Sequence, residues 1–128
     1  MRVVLSALFL VTSLSSFAKG IDLEANMKNM GLAYKNAVQA SELSEFNHAI
    51  DEFTQLLEKA KKADFKQHQS ASIESIDKVI HKAEDAKKLA NKQGILAAKA
   101  PLKEIDTLRK KYHELHEPPG FWELLFGK

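Results

Sequence analysis

Residues 43–60 read LSEFNHAIDEFTQLLEKA. Leu43, Phe46, Ile50, Phe53, Leu57 and Ala60 recur at spacings of three and four, so they fall on one stripe of a helix, while Glu45, Asp51, Glu52, Glu58 and Lys59 fall away from it. A strand would need alternation with period two, and no such run of useful length occurs anywhere in the chain. This stretch predicts a helix with one face to bury, and its neighbours follow the same rule.

Outward from it, Leu23, Met27, Met30, Tyr34 and Ala37 form a stripe on the N-terminal side. Ile73, Ile76, Ile80, Ala83 and Ala90 form another after it, and Ala98, Leu102, Ile105, Arg109, Tyr112 and His116 a fourth, with Leu108 and His113 flanking that line. The punctuation agrees with four helices. Asp22 is placed to cap the first, Ser41 to Ser44 separates it from the second, Asp64 with Gln67 reads as a capping box for the third, and Asn91 to Gly94 parts the third from the fourth. Pro118-Pro119-Gly120 stops the fourth. Pro101 removes a backbone hydrogen bond inside the fourth segment, which predicts either a kink there or a helix that truly starts near Pro101. Connections this short make neighbouring helices antiparallel, so the fold class expected is all-α, an up-down-up-down four-helix bundle.

The first residues belong to a different chemistry. Arg2 precedes an apolar run from Val3 to Leu14, and Ser16-Phe17-Ala18 fits the small-x-small rule, so residues 1–18 read as an export signal cut after Ala18. The run is too short to span a bilayer, and the mature chain is expected in the periplasm without stable membrane insertion. Of 19 basic residues only Arg2 is lost with the signal, which leaves 18 against 17 acidic ones. These charges are interspersed along helix faces, which gives no footing for nucleic acid. There is no cysteine, which excludes disulfides, thiolate metal sites and covalently attached c-type haem. No nucleophile with a base, metal-activating triad or phosphate loop is present either, so an enzyme is not expected.

One pair of residue types stands out. In an antiparallel bundle the start of the first helix lies beside the end of the last. Met27 is five residues after Asp22 and His113 five before Pro118, so both lie about 7–8 Å inside the same end. A soft thioether and a neutral imidazole facing one core suit the two axial positions of haem iron, and copper is the other candidate. Spacing alone leaves open Met27 or Met30, and His113 or His116. His48, His68 and His81 stand singly among charged neighbours and read as surface residues.

At these residues the chain resembles a known family. IDLEANM (residues 21–27) and LRKKYHELH (residues 108–116), with AKKLAN (residues 86–91) between them, are similar to the periplasmic cytochrome b562 family. The resemblance implies one noncovalently held haem b with Met27 and His113 as its axial ligands, and Arg109 beside a propionate. It also implies an electron-transfer role with redox partner proteins, from a chain expected to be monomeric. On this reading residues 19–117 form the haem-binding bundle. Two departures are visible. The connection between second and third helices is short, which leaves Phe65, Ile73 and Ile76 as the apolar candidates against a porphyrin, and the tail GFWELLFGK (residues 120–128) has no counterpart. That tail, within residues 118–128, is expected to fold back over the open end of the bundle or to dock on a membrane or partner. The rival readings are a haem-free bundle that binds copper through Met27, Met30, His113 and His116, and a plain helical interaction module.

Overall fold

The computed structural model describes residues 22–115, with side chains through Leu108 apart from Lys66. The expectations for the export signal, for His116 and for the apolar tail fall outside these residues. Four helices account for most of the described chain: α1 (Leu23–Gln39), α2 (Leu43–Ala60), α3 (Gln69–Gln93) and α4 (Lys99–Leu115), with short 3-10 turns at Lys66–His68 and Ile95–Ala98. There is no strand among the described residues.

The local causes are readable helix by helix. Asp22 caps α1, its carboxylate accepting a hydrogen bond from the Ala25 amide at 3.1 Å, which satisfies one of the helix's orphan donors. On α2 the stripe from Phe46 to Ala60 is buried as expected, with Ala49 beside it; Leu43 is 38% exposed because the first residue of the helix projects past the core. The third stripe buries Ile76, Ile80, Ala83 and Ala90, together with Val79 and Ala86. Burying each large side chain of this kind contributes roughly 2 kcal/mol.

Two boundaries differ from the sequence reading, and the structure decides a third between its two alternatives. Asp64 lies well before the start of α3, which opens at Gln69 after the 3-10 turn. The side chain of Gln69 itself closes that entry: its oxygen accepts from the Phe65 amide at 2.8 Å and its Nε2 donates to the Ala63 carbonyl at 3.2 Å. Asn91 is helical and not a break. α3 runs on to Gln93, and Gly94 alone interrupts it, at a φ of 93° that L residues rarely adopt. Pro101 is the third residue of α4, where its missing N–H costs no helical bond, so the fourth helix starts there and not at a kink.

Polar pairs set the register between helices. Asn47 and Asn91 exchange amide hydrogen bonds at 2.8 and 3.1 Å, Lys87 meets Asp51 at 2.6 Å and Lys61 meets Asp77 at 2.7 Å. Each step forward along α2 and its C-cap (Asn47, Asp51, Lys61) is matched by an equal step back on α3 (Asn91, Lys87, Asp77), so these two helices are antiparallel. The Asn26 amide donates to the Leu56 carbonyl at 3.0 Å, which ties the start of α1 to the end of α2. Tyr34 lies with its ring 5.7 Å from that of Phe53 and donates from its hydroxyl to the Leu102 carbonyl at 2.9 Å, which links α1 to α4. Lys82 pairs with Glu104 across α3 and α4.

Candidate functional site

The cap at Asp22 fixes where α1 begins, and therefore which residues its first turns turn inward. Met27 and Met30 are both 0% exposed, and Asn26 between the cap and the core is 3% exposed. Leu23 packs partly against the same core. Asn26 uses its amide group twice: Nδ2 donates to the Leu56 carbonyl on α2 and, at 3.4 Å, to the sulfur of Met30 one turn along its own helix. Its oxygen, Oδ1, is buried without a partner among the described residues. A second buried oxygen without a partner, Ser75 Oγ, lies in the early turns of α3. Buried polar atoms left in this state each cost about 1–3 kcal/mol, so this part of the core is less well satisfied than the rest.

Of the residues the sequence singled out, Met27 is therefore a core thioether on α1, and no hydrogen-bond donor lies on its sulfur among the described residues. Arg109 and His113 belong to the last turns of α4, where the backbone is described and the side chains are not. Of the apolar candidates against a porphyrin, Ile76 is fully buried, Phe65 is half-buried against the core and Ile73 is half-buried beside Gln69, Glu74 and Asp77. His48, His68 and His81 are exposed, as expected, and His81 is 3.7 Å from Glu84. No group of three or more His, Cys, Asp or Glu is arranged to hold a metal among the described residues.

Asn26 was not singled out by sequence. A trace of it was there: Asn26, Met30, Ala33 and Ala37 share a second stripe on α1, and a lone amide heading an otherwise apolar stripe needs a partner. Ser75 heads the stripe of Val79, Ala83, Ala86 and Ala90 in the same way.

No helix among the described residues is long and apolar enough to cross a membrane. Comparison of the chain with curated proteins and with solved structures gave no match. A family model described as cytochrome b562 matches residues 22–117, all four helices with the methionine at one end of the match and the histidine near the other, and the chain belongs to the cytochrome b562 family of electron-transfer bundles that bind haem b noncovalently.

Proposed function

We propose that this chain is a periplasmic electron carrier that holds one haem b between Met27 of α1 and His113 of α4, with Arg109 at a propionate. The observation that carries the reading is the state of Met27: a thioether with no exposure, on the first turns of a helix inside the matched stretch. An up-down-up-down order accounts for the cross-helix pairs, and it brings the last turns of α4 to the end of the bundle where α1 begins.

The donor chemistry fits the group. A thioether is uncharged, so keeping it in an apolar core costs no ion desolvation, and with no hydrogen bond on its sulfur among the described residues both lone pairs are open to a soft metal. Histidine supplies a neutral ring nitrogen at the other side, and the Met/His pair raises the reduction potential above that of two imidazoles. When bound, haem supplies one-electron chemistry at iron. The protein's own work would be to hold the iron through Met27 and His113, leaving no open position for substrate or dioxygen, and to surround the ring with an apolar core. Arg109 presents a planar, permanently charged fork suited to a carboxylate. The copper reading is less well supported, because it draws on Met30, whose sulfur is already engaged by Asn26.

The test is reconstitution of the mature chain with haem b. Sharp low-spin bands on reduction, lost in Met27→Ala and in His113→Ala, are the expected result, and a chain that stays colourless refutes the proposal. Loss of those bands in His116→Ala but not in His113→Ala moves the ligand to His116 and leaves the function standing.

A further inference from the structure

α1 offers the core two sulfurs, not one. Met27 and Met30 are both 0% exposed. Three residues apart, they differ by about 60° around the helix and about 4.5 Å along it, so burial and direction do not choose between them. A ligand site built on one of two equivalent thioethers would bind in two registers.

The asymmetry lies in what touches each sulfur. We infer that Asn26 decides which methionine serves as ligand, by holding the Met30 sulfur in a hydrogen bond while that of Met27 has no donor among the described residues; the inference rests on the haem reading above. Asn26 is itself fixed, since one amide hydrogen is committed to the Leu56 carbonyl of α2 at 3.0 Å, and the other is then aimed forward along α1 at Met30 Sδ, 3.4 Å away. At 3% exposure, water does not reach the amide to take the place of either partner. For Met30 to turn toward iron it would have to give up this bond and strand a buried N–H, while Met27 turns with nothing to release. Asn26 is thus a positioning residue, acting through Met30 on the identity of the ligand.

The experiment places the second sulfur in competition with an empty ligand position. Mature chains carrying Met27→Ala, Asn26→Leu and both together are loaded with haem b, and the sulfur-to-iron charge-transfer band is read alongside the low-spin fraction. Wild type shows the band and Met27→Ala loses it, because Asn26 still holds Met30. The double variant regains it through the released Met30, with a low-spin fraction roughly tenfold above that of Met27→Ala, and adding Met30→Ala abolishes it again. Asn26→Ala in place of Asn26→Leu repeats the comparison should the larger side chain prevent folding. A Met27→Ala chain that keeps the sulfur band overturns the inference, as does a double variant indistinguishable from Met27→Ala. A wild type that lacks the band overturns the ligand reading itself, and the inference with it, so the two failures are told apart. A readout without haem accompanies these: in the NMR spectrum of the haem-free chain, Met30→Leu shifts one Asn26 side-chain amide proton and leaves the Leu56-bonded one in place, and a spectrum in which neither moves counts against the contact.

Discussion

Exchanging each buried methionine for leucine separates its structural role from its chemical one. Met27 and Met30 are equally buried, and Met→Leu nearly conserves volume, so packing alone costs each variant less than about 1.5 kcal/mol. Met30→Leu carries a further penalty. It removes the acceptor of the second Asn26 amide hydrogen, and since Asn26 is 3% exposed and already has one unpartnered oxygen, no solvent compensates. A stranded buried donor costs about 1–3 kcal/mol, with the low end fitting a bond to a weak sulfur acceptor. Haem-free Met30→Leu should therefore be about 1–2.5 kcal/mol less stable than wild type, and Met27→Leu within about 1.5 kcal/mol of it and the more stable of the two.

Loading with haem b should invert that order. Met27→Leu then loses the sulfur ligand, its low-spin spectrum and the stability conferred by tight binding, whereas Met30→Leu keeps the spectrum and most of the stabilisation. Urea titrations of both variants, with and without haem, make the comparison. If haem-free Met27→Leu is the weaker of the two, the Asn26–Met30 contact contributes nothing; if loading leaves the order unchanged, Met27 is not the ligand.

Two other outcomes follow from the frame of the bundle. Gly94→Ala should lower stability by about 1–2 kcal/mol, seen as a drop in Tm, from backbone strain alone, because φ is 93° there and nothing lies within 4 Å of where the new Cβ would sit. The Asp77 carboxylate, by hydrogen bonding, raises the Lys61 pKa above its ordinary 10.5, with Glu58 adding to it and desolvation opposing, and Glu104 does the same for Lys82. A raised folded value means that the stabilisation is complete below the ordinary lysine range and is lost as pH climbs through the folded pKa; unfolding measured above about pH 10 should show a decline that is shallower in Asp77→Asn and in Glu104→Gln.

How much of this was legible depends on how local the cause is. The stripe from Phe46 to Ala60 is set by helical period alone, and it is buried as the period requires. The cap at Asp22 acts within three residues and was read correctly, while Pro101 offered two outcomes between which its place in the first turn decides. Asn91 misled for the opposite reason. Asparagine near a glycine reads as a break, but here its side chain exchanges two hydrogen bonds with Asn47, 44 residues away, and a pairing across helices outweighs a local preference. Asp64 and Gln67 have the spacing of a capping box, yet Gln69, two residues further on, satisfies the amide of Phe65. A sequence pattern does not say which of two nearby glutamines will make that bond. At the site, residue type and spacing leave Met27 or Met30 and His113 or His116 open, and the family resemblance is what selects Met27 and His113, whereas Asn26, between the cap and Met27, takes its meaning from a carbonyl on another helix.

The two ends of the core are built from different side chains, and the difference bears on function. Ala37, Ala49, Ala86, Ala90 and Ala98 are buried toward the end where α1 passes to α2 and α3 to α4, with Phe46 the large exception there. Methyl side chains let helix axes approach toward the short limit of about 8 Å, and a closely packed end resists rearrangement. Met27, Met30, Leu57 and Ile76 are buried toward the other end, where Ala60 and Ala63 are the small exceptions. Long side chains hold helices further apart, and methionine, unbranched and with three rotatable bonds, yields space at least cost. That same end carries both unpartnered oxygens, Asn26 Oδ1 and Ser75 Oγ. An electron carrier needs a frame that does not reorganise when charge moves, and a pocket that opens once to admit a flat ring. Weighting alanine toward one pole and the adaptable residues toward the other serves both needs from a single core, and the adaptable pole is the one where α1 carries Met27.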